Sequence, residues 1–238
     1  MAHYLGCSGW YYRHWRDSFY EGIEKSKWFN HYAEVFNTVE LNSTFYRFPR
    51  EKTAEGWYKK SPEDFVYTLK ANKSITHTKK FKGTKNLVRD FYRVADVLGE
   101  KLGCILFQLP PSLHYSEKKL MGMLDQLDRE KKNVFEFRHR SWWNENVYEM
   151  MKEQNIIFCI VSGPKLPEEF VKTAEDIYLR FHGKKWYRYN YSEEELRGYA
   201  EKIEKMQARN IWCYFNNDFN AYSVDNCSQL RDLLEKGL

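Results

Sequence analysis

Charged side chains recur in this sequence inside short runs where they alternate with apolar ones. In Thr38-Val39-Glu40-Leu41-Asn42, Glu40 and Asn42 fall on one face of an extended chain and Val39 and Leu41 on the other. Glu136 and Arg138 flank Phe137, and Arg180 and His182 flank Phe181, in the same way. Two carboxylates in different environments can divide the acid and base roles that cleave a glycosidic bond, which makes Glu40 and Glu136 candidates. Arg138 and Arg180 would hold both carboxylates ionised, so His182 is the better proton shuttle near neutral pH. Glu40, Glu136 and His182 could also offer a carboxylate–imidazole set to a divalent metal. The neighbouring cations disfavour that, and the further inward His and Asp of a two-metal cluster are missing, so no cofactor is expected. Lys70, at the end of another β-rich run, fits an anion-binding or paired lysine better than a Schiff-base lysine, given its charged neighbours. Gln108, Asn216 and Asn217 end two further runs. Ser8 and Ser43 lack a convincing triad, and neither a GxxxxGK[ST] loop nor GxGxxG after the first strand is present.

The elements that must position these groups read as one repeating pattern. Eight β-rich runs follow in order: 4–8, 38–41, 65–70, 104–108, 134–137, 156–161, 177–182 and 211–215. Helical spacing fills most gaps. Leu87, Phe91, Val94, Ala95 and Leu98 form one stripe, and Leu120, Met123, Leu124 and Leu127 form another. Ser192 with Glu195 is a capping box that opens a helix carrying Leu196, Tyr199, Ala200, Ile203 and Met206. Leu230, Leu233 and Leu234 mark a last helix, with Gly237 as its stop. A short helix is expected around Pro167–Thr173, the weakest of the series, and Pro110-Pro111 reads as a rigid turn. Strand then helix, eight times over 238 residues, predicts an α/β fold: a (β/α)8 TIM barrel, residues 1–238 forming a single domain.

In that fold the loops after the strands build the active face, and here they differ sharply from the rest of the chain. Segments 9–25, 42–52, 71–86, 109–115, 138–144, 162–165, 183–191 and 216–222 hold 17 Lys or Arg and 5 Asp or Glu. That is a net of +12, against −7 elsewhere and +5 for the whole chain. The same segments hold 19 of the 42 aromatic residues. Basic and aromatic side chains interleave in Tyr46-Arg47-Phe48 and Lys184-Lys185-Trp186-Tyr187-Arg188-Tyr189, a mixture suited to phosphates and stacked bases. An anionic substrate such as a phosphodiester or nucleic acid is therefore expected, with Lys70, Arg138 and Arg180 turned into one shared cavity. Five scattered cysteines without a CxxC, no signal-peptide pattern at the N-terminus and no apolar run near the ~20 residues that span a bilayer point to the cytoplasm and away from membranes.

The strings Gly9-Trp10, Val39-Glu40-Leu41-Asn42-Ser43-Thr44-Phe45-Tyr46-Arg47, Phe107-Gln108-Leu109-Pro110-Pro111, Glu136-Phe137-Arg138-His139, Arg180-Phe181-His182-Gly183 and Tyr214-Phe215-Asn216-Asn217 resemble the YecE-like family, domain of unknown function 72. The resemblance spans nearly the whole chain in order. It implies a TIM barrel and no particular activity, and its signature positions are Glu40, Asn42, Gln108, Glu136, Arg138, Arg180, His182 and Asn216. The expectation for function is thus a barrel protein of hydrolase type, with Glu40, Glu136 and His182 catalytic. Trp10, Asn42, Tyr46, Lys70, Gln108, Arg138, Arg180, Asn216 and Asn217 would bind the substrate. A non-catalytic nucleic-acid-binding module and a glycosidase or sugar-phosphate enzyme built on the Glu40/Glu136 pair are the alternatives.

Overall fold

A computed structural model describes residues 2–236. Eight strands, β1 (Ala2–Cys7), β2 (Thr38–Leu41), β3 (Val66–Lys70), β4 (Leu102–Gln108), β5 (Lys132–Glu136), β6 (Ile157–Ser162), β7 (Ile177–Phe181) and β8 (Asn210–Phe215), form one parallel sheet. The ladder runs β1-β8-β7-β6-β5-β4-β3-β2, so the first strand pairs with the last. That pairing is long, from Ala2↔Asn210 to Cys7↔Phe215.

One joint of the cylinder is made differently. β1 and β2 lie side by side without a backbone ladder, and side chains bridge them. The Tyr32 hydroxyl accepts from Cys7 N at 2.8 Å and donates to Thr38 O at 3.0 Å, standing in for a ladder bond. Asn37 Nδ2 donates to His3 O at 3.0 Å, and Asn42 Nδ2 to Ser8 O at 3.0 Å. Gly6 permits the approach, because a Cβ there would stand 2.2 Å from Thr38 O.

Period-two alternation sorts the strand residues as expected. Val39, Leu41, Leu69, Ile105, Phe135, Leu179 and Phe215 face the helices in the main core. Cys104, Leu106, Val134, Ile157, Cys159, Val161, Tyr178, Trp212 and Tyr214 form a second buried cluster, inside the barrel. Below it, Asp176 closes the amino-terminal end by accepting from Lys132 Nζ at 2.5 Å and Trp212 Nε1 at 3.0 Å. All five cysteines are buried and free.

Around the sheet lie α1 (Trp28–Val35), α2 (Ser43–Tyr46), α3 (Glu51–Lys60), α4 (Lys85–Asp96), α5 (Glu117–Leu124), α6 (Glu145–Lys152), α7 (Glu193–Lys205) and α8 (Tyr222–Lys236). The capping box of α7 is present in both directions, with Ser192 Oγ accepting from Glu195 N and Glu195 Oε2 from Ser192 N. The expected helix near Pro167–Thr173 does not form. Pro164 and Pro167 break the segment, and Thr173 pins it to the start of β6: its Oγ1 donates to Ile156 O at 2.6 Å and accepts from Phe158 N at 2.9 Å. The expected stop at Gly237 lies outside the described residues. Among the described residues no helix is long and apolar enough to cross a membrane.

Candidate ligand site at the barrel mouth

Two layers of polar side chains occupy the carboxyl end of the barrel, and they differ in what they can do. In the deeper layer Arg180, wholly buried, joins two carboxylates. Its Nη2 donates to Glu40 Oε1 and its Nη1 to Glu136 Oε2, both at 2.5 Å. Glu40 also accepts from Ser8 Oγ at 2.8 Å and from the Tyr178 hydroxyl at 2.5 Å. Glu136 Oε1 rests against Arg138 Nε, a charge contact whose N–H direction lies off a hydrogen-bond line. Burial alone would raise the Glu136 carboxyl, but Arg138 and Arg180 outweigh it and hold the group well below the usual carboxylate range. Glu136 is therefore a permanent anion here and no general acid. The donor set considered for a metal is already engaged, since the carboxylate oxygens of Glu40 and Glu136 face guanidinium and hydroxyl groups.

His182 departs from its expected role as a neutral-pH shuttle. Burial first, then Arg138 and Arg180, push its imidazole down to about 3. Its Nε2 faces Arg138 Nη2 at 2.8 Å and Arg180 Nη1 at 3.5 Å. Guanidinium nitrogens only donate, so Nε2 accepts and the neutral ring carries its proton on Nδ1. Nδ1 lies 3.2 Å from the Asn216 amide, which must then present its oxygen. Trp186 covers this layer, its ring 4.7 Å from the Arg138 guanidinium and 5.3 Å from His182.

The shallower layer opens into a cavity of about 600 Å³. Trp10, Tyr11, Tyr12, Tyr46, Trp57 and Tyr187 supply its aromatic wall, and Ser8, Asn42, Ser43, Lys70, Asn216 and Asp218 its polar positions. Of the three cations expected to share a cavity, only Lys70 lines this one; Arg138 and Arg180 are spent on the carboxylates. Lys70 is 9% exposed, and its Nζ has no hydrogen-bond or acidic partner among the described residues. The ammonium lies over the Phe45 ring at 4.4 Å. Burial, then Arg180, lower it to about 7, although Glu136 and Glu40 pull the other way. Beside it Asn72 fixes the chain on either side. Its Nδ2 donates to Thr44 O and Phe45 O, and its Oδ1 accepts from Ser74 N at the start of a π-helical turn, Ser74–Thr78.

Of the expected site residues, Trp10, Asn42, Tyr46, Lys70 and Asn216 thus come together at the cavity, while Glu40, Glu136, Arg138, Arg180 and His182 come together beneath and beside it. Gln108, on β4, lies outside the lining. Asn217 is buried away from it, with Nδ2 donating to Tyr189 O and Asn226 Oδ1 at 2.8 Å. Tyr11, Tyr12, Trp57, Tyr178 and Asp218 are not among the expected site residues, Ser8 enters only as a rejected nucleophile, and Tyr187 only within the basic-aromatic run. Alternation along β7 already put Tyr178 in phase with Arg180. Trp57 comes from α3, where strand phase says nothing. Around the rim Lys184 pairs with Glu195, whereas Lys25, Lys73, Lys79, Lys185 and Arg188 are exposed and carry no ion pair among the described residues.

Residues 4–238 match the family profile described as "Protein of unknown function DUF72". The chain belongs to this family. DUF72 relatives include the UPF0759 protein YunF of Bacillus subtilis (strain 168), 27% identical over 98% of this chain and 94% of that protein. The UPF0759 protein YecE of Escherichia coli (strain K12) is 28% identical over 57% of this chain and 48% of its own length. Among solved structures, a DUF72 protein from Thermotoga maritima superposes with a TM-score of 0.90 at 29% identity, covering 99% of this chain and 100% of that one. A second, from Enterococcus faecalis, gives 0.85 at 20% identity over 99% and 96%, a likeness of fold alone. Both sequence and fold place this chain among DUF72 barrels.

Proposed function

We propose that this protein is an enzyme whose substrate is an anion carrying a flat ring, of the nucleotide or nucleic-acid class, bound at the open end of the barrel. The observation that carries this reading is Lys70, an unpartnered and nearly enclosed amine at a cavity walled by six aromatic rings. Rings of that kind stack on bases. The unpaired rim lysines draw an anion toward the mouth. Lys70 is then the group that meets the reacting part of the substrate, because a side chain titrating near 7 suits proton transfer at physiological pH. The Glu40/Glu136 glycosidase reading gains nothing from the geometry, since both carboxylates are fully buried and bound to Arg180.

The test is titration with adenosine monophosphate and with a short oligothymidylate, followed by calorimetry at low and physiological salt. Affinity should fall as salt rises and drop about tenfold in Tyr46→Ala, from the ~1–3 kcal/mol that one stacked base contributes. Binding that ignores salt, or that survives loss of the rings, would remove the proposal. The non-catalytic alternative is favoured by the exposed rings Trp186 and Phe219, which lie outside the cavity lining. It predicts oligonucleotide binding with no product in any turnover assay.

A further inference from the structure

We infer that Lys70 is a nucleophile that forms an imine with an aldehyde or ketone carbon of the substrate. This deepens the reading above by naming the reacting group, and it rests on that reading only for the anionic part of the ligand.

The argument begins with what surrounds the amine. Most lysines at a barrel mouth are either solvated or matched to a carboxylate, and both conditions keep the nitrogen protonated and unreactive. Lys70 is matched to no carboxylate and only lightly solvated: the residue is nine-tenths buried, its Nζ keeps a small opening to solvent, and that nitrogen finds no oxygen within bonding distance among the described residues. The two carboxylates that could have claimed it, Glu40 and Glu136, are held by Arg180 instead. The deeper layer thus keeps the acids away from the amine and sets a fixed guanidinium nearby. Burial and the guanidinium favour the free base, against the pull of Glu136 and Glu40 and of the Phe45 face, which hold the ammonium. Lowered to about 7, the amine has its free base within reach near neutrality, which is the condition a lysine nucleophile requires.

The surroundings also fix where Lys70 stands. Lys70 ends β3, whose position is tied to the loop after β2 by Thr44 Oγ1, which donates to Lys70 O at 2.6 Å. Lys70 lines the same cavity as Asn42, Ser43, Asn216 and Asp218. In the step itself the Nζ lone pair attacks the carbonyl carbon, forming a C–N bond. The carbonyl C–O bond then breaks, and the oxygen leaves as water with the two hydrogens of the neutral amine. Carbonyl plus amine gives imine plus water, with no oxidant or reductant. Asn42 and Asn216 line the same cavity with amide groups. Asp218, whose carboxyl is raised by burial, is the one acid that lines the cavity and could deliver a proton to the departing oxygen.

The test is reductive trapping of the intact protein with glyceraldehyde 3-phosphate, and separately with unphosphorylated glyceraldehyde, in the presence of borohydride. The expected result is one adduct per chain, mapped by peptide mass spectrometry to Lys70. It should form at least tenfold faster than labelling of the exposed Lys73 or Lys79, with a rate that rises through about pH 7 and then levels. Lys70→Met and Lys70→Arg should both abolish that adduct while leaving surface labelling unchanged, with circular dichroism establishing that each variant is folded. Labelling spread over surface lysines with Lys70 unmodified, or an adduct at Lys70 no faster than at Lys73, overturns the inference. A fast Lys70 adduct with no nucleotide binding leaves the imine standing and removes the stacking ligand; nucleotide binding without an adduct does the reverse.

Discussion

Replacing Arg180 by Met should destabilise the protein by about 3–5 kcal/mol, the usual cost of stranding one buried charge. The structure decides how many charges are stranded. Arg180 serves both Glu40 and Glu136, but Glu136 keeps its contact with Arg138. Glu40 is left with the hydroxyls of Ser8 and Tyr178, two hydrogen bonds to a charged group worth roughly 1.5–3 kcal/mol each and already present in the native protein. One carboxylate, not two, is therefore abandoned. For a chain of this length the loss corresponds to a drop in Tm of roughly 10 °C. Urea unfolding followed by circular dichroism measures it, at constant m. The double variant Glu40→Gln/Arg180→Met removes the abandoned charge with its partner and should recover at least ~1 kcal/mol relative to Arg180→Met alone. A single variant within ~1 kcal/mol of the native protein, or a double variant worse than the single one, would refute the reasoning.

Three further outcomes are expected. Acid should unfold the protein early. His182, pushed down to about 3, binds its proton in the unfolded chain first, so the stability that goes with its neutral form is lost as pH falls from about 6.5 toward 3. Glu136, also depressed, adds a loss below about 4.3; thermal melts of His182→Asn should show a flatter dependence between about pH 6.5 and pH 4.5. Lys70→Met should stabilise the protein at neutral pH and less so near pH 10, because a folded value near 7 against about 10.4 unfolded makes native Lys70 a cost throughout that window. Urea midpoints at the two pH values check this, and an equal gain at both would contradict the shift. Tyr32→Phe leaves Cys7 N and Thr38 O without their bridge and should cost about 1–3 kcal/mol, with hydrogen exchange rising first in β1 and β2.

Alternation along single strands was enough to turn Glu40, Glu136, Arg138, Arg180 and His182 into the barrel, because side-chain direction in a strand is local. Depth is not local. Glu40 lies one inward position below Asn42, and that step separates an enclosed ion pair from a cavity wall, whereas His182, one inward position above Arg180, stays buried with it. No spacing in the sequence reveals that Arg180 will be consumed by two acids from strands far apart in the chain. Trp186 reaches Arg138 because its loop folds back over the mouth, helped by a left-handed turn at Tyr187 (φ 64°), and such paths depend on tertiary packing. The missing helix after β6 was foreshadowed by Pro164 and Pro167, whereas the Thr173 clamp that replaces it needed the folded neighbours.

The joint between β1 and β2 bears directly on the cavity. Seven of the eight neighbouring strand pairs are zipped by main-chain hydrogen bonds, while this one is laced by Tyr32, Asn37, Asn42 and the Ser8–Glu40 contact. The aromatic pocket sits directly above the lacing, with Ser8 to Tyr12 on one bank and Leu41, Asn42, Ser43 and Tyr46 on the other. Any slackening of those few side-chain ties parts the two banks and changes the room available to a guest, without unpicking the sheet elsewhere. The barrel therefore has one stave that can give, and it stands beneath the place where a ligand would enter.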